Sequence, residues 1–335
     1  MSRPLSSLPE HGLPRPRLRV EYAELDAPGP ALAQDDVLAV LGFGPQAPGD
    51  EDPRYLRIPL QPYGRAPFEV WHAGAPVERG RDGDIRWASD GALQFGVIEV
   101  EENGDVEAAA AYAYGRLSAF VGGSGLPHLL RVWNYIDAIT LGEGDDERYR
   151  NFCVGRARGL GRIDAPSLPA ATAIGRCDGA RVVQVYWLAA RAPGTPLENP
   201  RQVSAYHYPR QYGPQSPSFA RAMLPPAGAA MPLLLSGTAS VVGHATQHPG
   251  ELMAQLEETF ANFDALIGAA RARMPSLPAR FGAGSRLKVY VRDRDDLPRI
   301  AEALDRRLGA DVPRVLLHAA ICRRELTVEI DGVHA

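Results

Sequence analysis

Glu329 lies in the run LTVEID (residues 326–331), where Leu326, Val328 and Ile330 alternate with Thr327, Glu329 and Asp331. On the two-residue period of a strand, this points Glu329 away from the face on which Val328 packs. On that pattern alone, Glu329 reads as an exposed carboxylate on a solvated strand face. Arginines and phenols gather in two other places. In EGDDERYRNFCVGRARGL (143–160), Tyr149, Phe152 and Arg156 fall at spacings of three and four, on one side of a helix if the segment is helical. Arg156 there offers a planar fork to a carboxylate, and pairing with Asp145, Asp146 or Glu147 is the simpler account by sequence alone. In RQVSAYHYPRQYGPQSPSFARA (201–222), Tyr206, Tyr208, Tyr212, Arg210 and Arg221 surround Pro/Gly turns. Aromatic loops usually just pack, but loops carrying Tyr hydroxyls and Arg forks also build anion sites.

The stretch SGTASVVGHATQHPG (236–250) raises a metal question, because His244 and His248 are four residues apart. Pro249 and Gly250 stand where the helix would have to continue, and neither HExxH nor a third ligand accompanies them, so a metal pair is rejected. His248-Pro249-Gly250 reads as the entry to the helix that begins near Glu251. Gly237 and Thr238 read as a backbone turn that allows close approach to a ligand, with Ala239 as a small wall residue. Cys153, Cys177 and Cys322 are odd in number and far apart, which fits reduced thiols and no CxxC knuckle. GEGDDE lacks the alternation of a calcium loop, and GGSGLP follows a helix instead of opening one. No Walker or GxSxG sequence is present. No cofactor and no metal are expected.

The elements that must hold these residues can be read from periodicity. Pro and Gly punctuate the first ninety residues, which read as strands and turns without a helix of ordinary length. LQFGVIEVEE reads as a strand, VEAAAAYAYGRLSAFVGG as a helix, and HLLRVWNYI as the next strand. The order recurs: MPLLLSGTASVVG is a strand pair or bulged strand, ELMAQLEETFANFDALIGAA a helix with Leu252, Leu256, Phe260, Phe263 and Ile267 on one face, and RLKVYVRD a strand. A second helix, LPRIAEALDRRLG, precedes RVLLHAAIC and LTVEID. The fold class is α+β, with sheets covered by helices on one face, and the repetition points to a duplicated module.

The 335 residues, 45% hydrophobic and 23% charged, suit one large domain or two ordinary ones. A net charge of −4 gives no basic footprint for nucleic acid. The start, MSRPLSSLPEHGLPRPRLRV, has no apolar run, and no later segment is long enough to span a bilayer, so a cytoplasmic protein with neither signal peptide nor membrane partner is expected.

These residues also resemble known families. SGTASVVG, HPGELMAQLEETFANFDALI, RLKVYVRD and VEID resemble the YjgF-like (reactive-intermediate deaminase) superfamily, whose barrel-like trimers place clefts between subunits and end a strand in a functional glutamate. A narrower resemblance runs through RVWNYIDAIT, EGDDERYRNFCVGRA, YPRQYGPQSPSFARA, SGTASVVGH and CRRELTVEIDG, over about residues 120–335. It is to the chorismatases, which cleave chorismate to pyruvate and a ring product. The resemblance implies two fused YjgF-like (chorismate-mutase-like barrel) modules. Residues 1–175 would be the N-terminal module with its strand- and loop-rich extension, and 176–335 the catalytic module. It implies Glu329 as the general acid, Tyr149, Arg156, Tyr212 and Arg221 as substrate-binding residues, and Ala239 and Cys322 facing the ring. The expected partner is chorismate, and the expected state is a monomer or small homo-oligomer. The expected ring product is 3-hydroxybenzoate, with 4-hydroxybenzoate beside it. The alternatives are hydrolysis to a dihydroxy-cyclohexadienoate, an imine or enamine deaminase of the YjgF-like type, and a non-catalytic small-anion binder.

Overall fold

The computed structural model describes residues 15–161 and 164–335; the proline-rich start, up to residue 14, lies outside the described residues. Two seven-stranded sheets and one four-stranded sheet share an interior. The first large sheet is built around strands Leu93–Glu101, His128–Asp137, Ala170–Arg176 and Val182–Ala190, with helix Val106–Gly123 after the first of them and helix Arg148–Leu160 after the second. Across the sheet their order is 170–176, 128–137, 182–190, 93–101; only the first pair is parallel. The second is built around Leu233–Ala239, Arg286–Val291, Arg314–His318 and Val328–His334, with helices Leu252–Arg271 and Leu297–Leu308 in the corresponding places. Its order is 314–318, 286–291, 328–334, 233–239, again with only the first pair parallel. The two sheets therefore have one topology. Ahead of them, Arg19–Ala23, the single-turn helix Gly29–Leu32, Val37–Phe43, Tyr55–Ile58 and Phe68–His72 repeat the same order and directions with the long helices missing.

Apolar patterning explains the layering. Leu252, Leu256, Phe260, Phe263 and Ile267 are all buried, and the helix they line packs against Val289, Val328 and Ile330. The opposite faces of the three sheets meet in a core where Trp71, Phe95, Trp133 and Tyr186 converge; Trp133 and Tyr186 stack at 4.6 Å. Fully burying one such side chain contributes roughly 1.5–3 kcal/mol, which is why short strands around this centre hold together.

Two glycine features place the site. Helix 148–160 lies so close to helix 106–123 that β-carbons at Gly155 and Gly159 would overlap the carbonyl oxygens of Glu107 and Ala111. The VGRARG segment thus packs through its glycines, and the Arg156 guanidinium is set 5.1 Å from the centre of the Tyr114 ring. Gly237 and Thr238, expected as a turn, are strand residues instead: the register with 328–334 shifts between Leu235 and Thr238, a bulge in an otherwise continuous strand.

Candidate active site

Between strand Ala170–Arg176 of the first large sheet and strands Leu233–Ala239 and Val328–His334 of the second lies a cavity of about 590 Å³. Glu329, Tyr149, Arg156, Tyr212, Arg221, Ala239 and Cys322 all line it. Residues from four separated segments and two sheets are thus brought together.

Glu329 is buried beside Ala239, its cross-strand partner, while Val328 and Ile330 pack toward the helices as the alternation requires. Its carboxyl accepts no hydrogen bond among the described residues. A β-carbon at Gly237 would overlap Glu329 Oε1, so the bulged glycine makes room for this carboxyl. Burial, reinforced by the charge of Asp331, outweighs the cations Arg131, Arg221 and Arg323 and pushes Glu329 up to about 8. This direction favours the protonated acid near neutral pH.

Behind it, Asp331 is fully buried and holds the seam between the sheets. Its Oδ2 accepts from Thr172 Oγ1 at 2.7 Å, Tyr290 OH at 3.0 Å, Trp133 Nε1 at 3.1 Å and Arg131 Nη2 at 3.2 Å. Lys288 Nζ stands 3.8 Å from the other oxygen. Thr172 Oγ1 in turn accepts from the Gly237 amide at 2.9 Å. The bulge next to Glu329 is therefore fixed by hydrogen bonds from both sheets.

The cations differ from ordinary surface arginines. Arg156 is buried, has no carboxylate partner among the described residues, and leaves Nε and Nη2 without hydrogen bonds. The pairing with Asp145, Asp146 or Glu147 does not form; Asp145 is taken by Arg210 through a bidentate pair that ties the Tyr-rich loop to the start of helix 148–160. Arg221 is also buried. Its Nη2 donates to Tyr208 OH at 2.6 Å and the Val203 carbonyl at 3.0 Å, and Nε has no partner. Neither guanidinium forms an ion pair with a carboxylate among the described residues, Glu198 acting on Arg221 only at longer range, so both favour an anion in the cavity.

Phenols complete the wall. Tyr212 OH meets His244 Nδ1 at 3.2 Å, and burial holds the Tyr149 hydroxyl well above its ordinary range, so it remains a donor. Burial likewise pushes the Cys322 thiol up, which keeps it neutral and unreactive. His248 lies apart from His244, against Glu258 at 3.5 Å, with a positive φ of 54° just before the helix. Sequence reasoning missed Arg323, whose guanidinium stacks over Tyr212 at 4.2 Å and Tyr208 at 5.1 Å. Its neighbour Cys322 in CRREL was the available signal. Thr172 was missed too, and a lone threonine in AATAIGR offers none.

A family profile described as "Chorismatase FkbO/Hyg5-like, N-terminal" matches residues 69–189. A chorismatase of Streptomyces hygroscopicus is 40% identical over 274 residues, spanning 80% of this chain and 79% of the relative. The chain belongs to the chorismatase family. A 3-hydroxybenzoate synthase of the same species is 37% identical over 278 residues, spanning 80% and 81% of the two chains. A chorismatase crystal structure superposes with a TM-score of 0.82 at 36% identity, covering 96% of this chain and 98% of that one. Among the described residues of this chorismatase-family chain, no group of His, Cys, Asp or Glu could hold a metal ion, and no helix is long and apolar enough to cross a membrane.

Proposed function

We propose that this chain cleaves chorismate to pyruvate and a hydroxybenzoate, 3-hydroxybenzoate with 4-hydroxybenzoate beside it. The observation that carries the reading is a buried Glu329, its carboxyl raised by burial, in the same cavity as Arg156 and Arg221, which form no ion pair among the described residues. Chorismate is a dianion with an enol ether. Arg156 and Arg221 take the carboxylates, and Tyr149 and Tyr212 orient the ring and side-chain oxygens. Glu329 gives its proton to the enolpyruvyl methylene carbon, which becomes a methyl, and a cation develops at the ether carbon. Capture by the ring's own hydroxyl returns that hydroxyl's proton to Glu329. The captured carbon then keeps one of its two ring oxygens as the keto oxygen of pyruvate, breaking that oxygen's bond to the ring, while the other oxygen stays on the ring and takes up the ring C–H proton lost on aromatisation. The products, pyruvate and hydroxybenzoate, are together isomeric with chorismate, and no water is consumed. Capture by water would add one molecule and give the dihydroxy-cyclohexadienoate. Ala239 and Cys322 bound the space in which these routes compete, and a wall that excludes water there favours the internal route.

The shared strand order supports a further part of the reading, namely that the catalytic half and the preceding one are fused YjgF-like modules. This reading moves the expected division from residue 175 to the turn after Ala190, which is supported by the hydrogen bonding of Val182–Ala190 inside the first sheet. The deciding experiment is purified protein with chorismate, followed for pyruvate and by chromatography. Pyruvate with hydroxybenzoate is expected. The diene diol alone would replace the product while keeping the substrate, and no pyruvate would remove the reading.

A further inference from the structure

A second cleft, of about 600 Å³, stands one unit before the active one, between strand Tyr55–Ile58 of the N-terminal sheet and strands Leu93–Glu101 and Val182–Ala190. Gln184, paired across its sheet with Glu99 and Tyr135, occupies the position that Glu329 holds beside Ala239 and Tyr290. Two arginines of that cleft are matched by carboxylates: Arg86 pairs with Glu99 at 3.0 Å and Arg176 with Asp178 at 2.7 Å. In the active cleft Arg221 is tied to neutral groups instead, and the way it is tied decides what else can touch a ligand there.

A guanidinium donates five N–H groups and accepts nothing, so the 2.6 Å contact between Arg221 Nη2 and Tyr208 has one polarity: the phenol oxygen accepts. The Val203 carbonyl is a second acceptor for Nη2, at 3.0 Å. With both Nη2 hydrogens engaged, neither edge of the guanidinium presents two free parallel N–H groups. Nε is buried without a partner, which leaves Nη1, free of hydrogen bonds among the described residues, to meet an anion. A carboxylate at Arg221 thus receives one contact from the guanidinium, and a second has to come from a neighbour.

Tyr208 is placed to be that neighbour. Its oxygen accepts from Arg221, so its own hydrogen points elsewhere, and no acceptor among the described residues takes it. The side chain lines the active cleft. Tyr212 differs, because its hydroxyl has His244 Nδ1 at 3.2 Å. Tyr208 is also held in place before any ligand arrives. Its carbonyl accepts from Ser216 Oγ at 2.9 Å, its amide donates to the Ala205 carbonyl at 3.1 Å, and Arg323 lies over its ring at 5.1 Å.

We propose that Tyr208 is a further substrate-binding residue, whose hydroxyl donates to the carboxylate that Arg221 Nη1 holds. The proposal rests on the reading of this cavity as the chorismate site. The test is calorimetric titration of chorismate into the Glu329→Gln chain, which keeps the cavity and lacks the acid, at about pH 6, below the titration of the phenol. Two changes at position 208 are compared in that chain. Tyr208→Phe keeps the ring and its stacking and removes one hydrogen bond to a charged group, so binding should weaken at least about tenfold. Replacement of Tyr208 by 3-fluorotyrosine makes the hydroxyl a stronger donor and a weaker acceptor, so binding should tighten. Affinity unchanged or raised in Tyr208→Phe overturns the proposal, because the phenol would then only occupy an Nη2 hydrogen that the carboxylate can take for itself. Affinity unchanged or lowered by fluorotyrosine overturns it too, because the hydroxyl would then serve only as an acceptor that orients Arg221. If either happens while the parent chain releases pyruvate, the cleavage reading stands without Tyr208. If both expected changes appear and the parent releases no pyruvate, cleavage falls and Tyr208 stays a binding residue; no chorismate binding at all removes both.

Discussion

Two clefts of nearly equal volume, about 590 and about 600 Å³, are built on one strand order, and they differ most at the position facing the gap. In one that position is Glu329, without a hydrogen-bond partner among the described residues and pushed up to about 8 by burial and by Asp331. In the other it is Gln184, an amide that donates two hydrogen bonds and cannot act as an acid. The cations follow the same division. Arg156 and Arg221 have no carboxylate partners, whereas Arg86 and Arg176 are matched within their own cleft. Topology supplies a seam between units; in the proposed mechanism, chemistry needs an uncompensated acid and unpaired cations in the same seam.

Removing the acid breaks this contrast most severely. Glu329→Gln gives the active cleft the same amide as its counterpart and keeps side-chain size, so turnover of chorismate should fall by about 10² to 10⁴ while substrate binding is largely kept. Retention of more than about a third of the parent rate would take Glu329 out of the donor role. Gly237→Ala keeps the acid but moves it. The new methyl overlaps Glu329 Oε1, and displacement of a reacting group by an ångström costs up to about 10² in rate, so kcat should drop with KM little changed. Parent-like kcat would show that the bulge yields freely.

Arg156→Lys and Arg221→Lys sharpen the cation half of the contrast. Each keeps a charge and loses the planar fork, so kcat/KM should fall at least about tenfold, roughly 1.4 kcal/mol. Unchanged kinetics in both would reduce them to wall residues. The smallest expected effect is on product identity: Cys322→Ala should shift part of the ring product from hydroxybenzoate toward the diene diol at similar total pyruvate. An unchanged ratio on chromatography would remove Cys322 from product control.

Much of the active cleft was legible because its residues obey strong local rules. Alternation in LTVEID put Glu329 opposite Val328, and the spacing of Tyr149, Phe152 and Arg156 placed them on one side of a helix, as found. The bulge at Gly237 was misread as a turn, because sequence shows that a glycine is needed without showing which atom crowds it; here the atom belongs to a residue 92 positions away. The absence of carboxylate partners for Arg156 was equally hidden. Asp145 lies near in sequence and was the natural candidate, but it is spent on Arg210 from a distant loop. The N-terminal sheet repeats the topology of the other two without their long helices, so the helical period that revealed the first repetition was missing there.

The central claim is that Glu329 enters the reaction protonated, and the pH dependence of kcat/KM tests it most directly because that ratio reports the free enzyme. Burial raises this carboxyl above its ordinary value, so the protonated, active form prevails below the raised pKa and is lost as pH climbs through it. Measured by pyruvate release from pH 6 to 10, kcat/KM should be level at the acid end and decline through a single titration near pH 8, tenfold per unit thereafter. A profile that stays flat across this range, or one that rises with pH, would contradict the account.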